Sequence, residues 1–79
     1  MRREFLKPIC ERRATIIFET ALERFNYPTD IDTLDEVKKF CYESLKGYNP
    51  VEVELMKNKI DELIMDYKNK IRDYSMSYR

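Results

Sequence analysis

Apolar side chains recur at helical spacing through residues 50–79, a stretch with no glycine and no proline after Pro50. Successive members lie three or four residues apart, and they are Val53, Met56, Ile60, Leu63, Tyr67, Ile71 and Tyr74. This spacing predicts a helix over about 50–74 with one apolar face. A helix through the whole stretch would be ~45 Å long at 1.5 Å per residue.

A first helix is predicted over about 8–25. The apolar positions from Cys10 to Phe25 follow the spacing of one buried helical face. Pro8 suits the first helical position, so residues 1–7 are interpreted as a loose basic arm. The alternative is one helix that begins at Arg2 and kinks at Pro8.

A second helix is predicted over about 33–46. Thr33 and Glu36 have the spacing of a capping box, in which each side chain bonds to the backbone amide of the other. Gly47 is the only glycine, and it stands where a left-handed residue commonly ends a helix. Asn49 before Pro50 then resembles the cap of the third helix.

These helices predict an all-α fold, an antiparallel three-helix bundle with a long C-terminal helix, in which residues 1–79 form a single domain. One glycine and three prolines supply too few turns for an all-β fold. The predicted core consists of Cys10, Ala14, Ile17, Phe18, Ala21, Phe25, Leu34, Val37, Phe40, Cys41, Leu45, Val53, Met56, Ile60 and Leu63.

The composition argues against catalysis. The chain has no histidine, which removes the commonest general base and zinc ligand, and one glycine cannot build a phosphate-binding loop. The acidic residues at 30, 32, 35 and 36 lack the glycine and glutamate that a calcium loop requires. We therefore expect no catalytic residues, no metal, no cofactor and no small-molecule substrate.

The two cysteines, Cys10 and Cys41, both lie in apolar surroundings. This favours reduced thiols and a cytoplasmic location, with a Cys10–Cys41 disulfide as the alternative. The longest apolar runs are too short to cross a bilayer, so no membrane contact is expected. Abundant Lys, Ile, Tyr and Asn are typical of AT-rich genomes, including those of some phages.

The first functional hypothesis is a small interaction module, an adaptor or a regulator. The third helix is predicted to be longer than its two neighbours can cover, so its far half would meet a protein partner or a second copy. Tyrosine suits such a contact, because its ring buries area while its hydroxyl stays hydrogen-bonded. The predicted binding residues are Leu63, Tyr67, Ile71, Tyr74 and Tyr78.

Two alternatives remain open at this point. The first is a nucleic-acid-associated regulator that contacts phosphates through a basic cluster of Arg2, Arg3, Lys7, Arg12 and Arg13. Glu4 and Glu11 dilute that cluster, and the formal net charge of +0 gives no general attraction to nucleic acid. The second is a structural subunit of a larger assembly, such as a phage particle.

Overall fold

The chain folds into three helices: α1 (Arg3–Arg24), α2 (Ile31–Glu43) and α3 (Pro50–Ser77). The structure is a computed structural model that describes the backbone of residues 3–77 and the side chains of residues 5–73. No strand occurs within that backbone, and all three helices contact one another. The predicted all-α class and helix bundle are confirmed.

Helix α1 begins five residues before the predicted start and contains Pro8. The loose arm is therefore a wrong prediction for residues 3–7, and the alternative of a helix that continues through Pro8 is the better one. Proline in a helix interior costs ~3 kcal/mol relative to alanine. Leu6 packs against the core, and this contact opposes the cost of Pro8. Tertiary packing overrides local preference here.

The connection between α1 and α2 contains two left-handed residues, Asn26 (φ 57°) and Tyr27 (φ 51°). The Tyr27 amide donates to the Leu22 carbonyl at 2.7 Å, which satisfies one of the last carbonyls of α1. Pro28 follows and is buried. The turn therefore brings Pro28 back onto the bundle.

Helix α2 begins at Ile31, two residues before the predicted start, because Asp30 is its cap. A carboxylate oxygen of Asp30 accepts from the Thr33 amide at 2.8 Å, and Thr33 donates its hydroxyl to the same carboxylate. Both bonds favour the ionised form and lower the pKa of Asp30. The helix ends at Glu43 rather than at 46, although Gly47 has the predicted positive φ of 96°.

Helix α3 begins at Pro50, as predicted. The Asn49 side-chain oxygen accepts from the Glu52 amide at 2.9 Å, which confirms the predicted cap. The helix extends to Ser77, three residues beyond the predicted end near 74. It spans ~42 Å at 1.5 Å per residue.

The core runs along the line where the three helices meet. Five predicted members are only partly buried, and they are Ile17, Phe25, Phe40, Val53 and Leu63. Besides Pro28, three buried core residues were not predicted: Leu22, Leu55 and Ile64. Helix α3 packs against two neighbours and so buries a wider face than one row of residues, which brings in Leu55 and Ile64.

Candidate partner-binding surface

The far half of α3, predicted to bind a partner, packs on its own molecule as far as the side chains are described. Leu63, Tyr67 and Ile71 are partly buried against the core. The side chains of Tyr74 and Tyr78 lie outside the described residues, so their predicted role stays a prediction. Leu63, Tyr67 and Ile71 therefore do not provide the exposed apolar surface that the hypothesis of an α3 binding site requires.

Tyr67 has two specific contacts inside the molecule. Its hydroxyl donates to the Pro28 carbonyl at 2.7 Å. Its ring meets Phe18 edge to face, with the ring centroids 6.2 Å apart. Burial, followed by the nearby Tyr27 hydroxyl, raises the pKa of Tyr67. Tyr67 therefore joins α3 to α1 and to the turn before α2.

The outward face of α3 is mostly polar. Glu54, Asn58, Glu62 and Asn69 follow one another along it, and all four are exposed. Met65 is 57% exposed among them. Val51, 46% exposed, lies on the same side about four turns away, and exposed apolar side chains separated in this way by polar residues are normal for a protein surface.

The outward face of α1 is different, because it carries a row of large apolar residues. Phe5 is 64% exposed, Ile9 45% and Ile16 55%. At about 100° per residue these three lie within about 40° of one another around the helix. The buried residues Cys10, Ala14 and Ala21 occupy the opposite side. Helix α1 therefore has two apolar faces, and only one of them contributes to the core.

The exposed row continues as a regular seam along the whole of α1. Its members lie alternately four and three residues apart, the spacing of the contact line between two packed helices. We call this row the outer seam, and it consists of Phe5, Ile9, Arg12, Ile16, Glu19 and Glu23, all exposed.

The outer seam is also divided by charge. Its N-terminal part is apolar with Arg12, and its C-terminal end carries Glu19 and Glu23. Among the described residues, none forms an ion pair with Arg12, Glu19 or Glu23. These three charges are available to a partner that lies along α1.

Three members of the predicted basic cluster do not share one face of α1. Lys7, Arg12 and Arg13 are each about 100–140° apart around α1, so they face three directions. Arg13 also lies 3.5 Å from a Glu52 carboxylate oxygen and over the Tyr48 ring. The side chains of Arg2 and Arg3 lie outside the described residues. Lys7, Arg12 and Arg13 therefore do not form a joint phosphate-binding face, and the role of Arg2 and Arg3 stays a prediction.

A polar cluster links α2 to α3. The Tyr42 hydroxyl donates to the Asp61 carboxylate, and Lys38 lies 3.9 Å from the same carboxylate. Lys57 lies 5.1 Å from the Tyr42 ring centroid. Burial first, and then the bond to Asp61, raise the pKa of Tyr42 to about 12. A phenol held protonated at neutral pH serves as a structural donor.

Both cysteines are free thiols with no exposed surface. Burial raises the pKa of Cys41 to about 11, and it is also the main cause that raises the pKa of Cys10. Because the thiolate is the reactive form, both groups are unreactive at neutral pH.

The buried Cys41 thiol predicts a loss of stability at alkaline pH. In the unfolded chain a thiol has a pKa of about 8.5, whereas the folded pKa of Cys41 is about 11. Between these values the unfolded state holds fewer protons, so the free energy of unfolding falls as pH rises. Urea midpoints measured from pH 7 to 10 should therefore decrease above pH ~8.5. Cys41→Ala should reduce that slope, and an unchanged slope would contradict the assignment.

Other kinds of site find little support in the part of the chain that is described. Within residues 5–73, no group of three or more His, Cys, Asp or Glu side chains could hold a metal ion. None of the helices, over their described residues, is long and apolar enough to cross a membrane. Comparisons with protein families, curated proteins and solved structures found no match to this chain. The outer seam is thus the feature that most needs a functional explanation.

Sequence reasoning did not identify the outer seam, although its signal was present. The four-three spacing from Phe5 to Glu23 can be read directly from the sequence. Assigning residues 1–7 to a loose arm removed Phe5 from the helix. Ile9 and Ile16 then remained as two isolated apolar residues on the side opposite the predicted core face.

Proposed function

We propose that the protein is a non-enzymatic helical interaction module, an adaptor or a regulator, that binds another protein chain through the outer seam of α1. The observation that carries this proposal is the exposure of Phe5, Ile9 and Ile16 on a helix whose opposite face is already buried. Several large exposed apolar side chains along one helix face of a small protein are typical of a binding site.

The geometry of the seam supports a helical partner. Phe5 and Ile16 are ~16 Å apart along α1, and Ile9 lies between them. Apolar side chains at this spacing fit a second helix that lies along the first. Arg12, Glu19 and Glu23 would set the orientation of that helix, because they can pair with charges on it.

The proposed setting is the cytoplasm. Two unpaired buried cysteines are typical of proteins in reducing compartments, where thiols stay reduced.

Site-specific photo-crosslinking in the native host tests the proposal. A photoreactive amino acid in place of Ile16 should give a crosslinked product with another protein chain. The same amino acid in place of Met65 should give little, although the two side chains have nearly equal exposure, 55% and 57%. Equal products from both positions, or none from position 16, would contradict the proposal.

Ile16→Lys supplies the matching functional test. The change should abolish the interaction and leave the free energy of unfolding within ~0.5 kcal/mol of the wild type, because Ile16 is exposed. Met65→Lys is the control, and it should retain the interaction. Far-UV circular dichroism and urea denaturation of both variants would confirm that the fold is intact.

A further inference from the structure

We infer that the chain bound by the outer seam is a second copy of this protein, with the two α1 helices packed antiparallel. The inference rests on the proposed function, and it specifies both the occupant of the surface and its direction. It depends on the order of charges along the seam.

Each copy carries complementary charges at different levels of α1. Arg12 lies near the middle of the outer seam, and Glu19 and Glu23 lie toward its C-terminal end. When two such helices run in opposite directions with their seams aligned end to end, Arg12 of each copy lies opposite Ile16 of the other and one turn from its Glu19. Ile9 and Phe5 then lie opposite Glu19 and Glu23. A side chain as long as arginine spans that separation. A two-fold axis makes the contact twice.

A parallel pair would have the opposite electrostatics. Arg12 would face Arg12, Glu19 would face Glu19, and Glu23 would face Glu23. Like charges of the two copies would therefore repel at three positions of the seam. The order of charges therefore selects the antiparallel pair.

The charges within one copy also favour this contact. Glu19 and Glu23 are four residues apart on one helix face, a spacing at which like charges destabilise a helix. No cation among the described residues pairs with either carboxylate. Arg12 of the second copy supplies one. The formal net charge of +0 means that the two copies do not repel as whole molecules.

The apolar members of the seam supply the buried area. Phe5, Ile9 and Ile16 of each copy pack against the methylene stems of Glu23, Glu19 and Arg12 of the other, and part of their exposed surface leaves water. One pair of helices gives an interface at the small end of the usual range. The expected dimer is therefore weak and its population depends on concentration, with a dissociation constant on the order of micromolar.

Sedimentation of the purified full chain tests the inference. The wild type should change from monomer to dimer as its concentration increases from about 1 to about 300 μM, a range that brackets a micromolar constant. Arg12→Glu should weaken the dimer at least about tenfold, because it places three acidic residues on each seam. Lys46→Glu changes the net charge equally at an exposed site outside the helices, and it should leave the dimer unchanged.

Reversing all three seam charges distinguishes an antiparallel dimer from a parallel one. The variant Arg12→Glu/Glu19→Arg/Glu23→Arg restores every opposite-charge pair in an antiparallel dimer, so it should dimerise about as strongly as the wild type. A parallel dimer would regain nothing from this change, because like charges would still face each other. The three positions are exposed, and circular dichroism would confirm that the helices persist.

Each remaining result would overturn the inference. A wild type that stays monomeric would exclude a second copy as the occupant. Arg12→Glu without effect, or a triple variant that stays monomeric, would exclude the antiparallel seam. A crosslink from position 16 to a different protein, together with a monomeric wild type, would leave the proposed function standing and reject only the second copy.

Discussion

Ile60→Ala should lower the free energy of unfolding by about 2–5 kcal/mol, the usual cost of truncating a buried isoleucine. Ile60 has no exposed surface, and the side chains one turn away on either side, Met56 and Ile64, are also buried. The cavity would therefore open in the middle of the long helix. A chain of 79 residues has a total stability of about 4–12 kcal/mol. The variant should lose a large share of it.

Urea denaturation monitored by far-UV circular dichroism would measure this loss. Val51→Ala is the matched control, because Val51 lies on the same helix and is 46% exposed. It should change the free energy of unfolding by ~0.5 kcal/mol or less. A cost below about 1 kcal/mol for Ile60→Ala would mean that the core does not lie where the three helices meet.

The three helices could be predicted because the turn and capping residues and the helical spacing of the apolar side chains indicated the same three segments. Asn49 and Pro50 have the chemistry of a helix start, and the Asn49 side chain forms the expected bond to the Glu52 amide. Gly47 has the expected positive φ. The start of α3 was therefore predicted accurately, whereas the α2 bounds differ by two or three residues from the predicted ones, because Asp30 rather than Thr33 is the cap and the helix ends before Gly47.

The N-terminal boundary could not be predicted because a tertiary contact decides it. Pro8 is a strong local signal for a helix start, yet α1 begins at Arg3. The packing of Leu6 on the core depends on how α1 meets the rest of the bundle. The residues near Pro8 in the sequence do not by themselves determine how Leu6 packs.

The same limitation affected where exposed apolar area was expected. The sequence suggested that α3 was too long for its neighbours, but this assumed an α1 that begins at Pro8. The structure gives α1 five more residues and brings Pro28 against the far half of α3. The exposed apolar area then lies on α1, where Phe5 joins Ile9 and Ile16. The wrong start of α1 therefore left Phe5 outside the predicted helix, and with it the exposed apolar row of α1.

Tyr67 provides the sharpest test of that reassignment, since it was predicted to bind a partner and it packs inside the molecule. Tyr67→Phe should lower the free energy of unfolding by about 1–2 kcal/mol, because the part-buried Pro28 carbonyl loses its donor. Tyr67→Ala should cost about 2–4 kcal/mol, because the edge-to-face contact with Phe18 is lost as well. Both changes would be measured by urea denaturation of the isolated chain.

The matched control is Tyr48→Phe. Tyr48 is 38% exposed, and its ring lies against Arg13, a contact that phenylalanine retains. This variant should change the free energy of unfolding by less than ~0.5 kcal/mol. If Tyr67→Phe and Tyr67→Ala were equally harmless to the isolated chain and yet abolished an interaction, Tyr67 would be a binding residue after all. A stability loss that increases from phenylalanine to alanine, with the interaction lost only in Ile16→Lys, would assign Tyr67 to the fold and the outer seam to the partner.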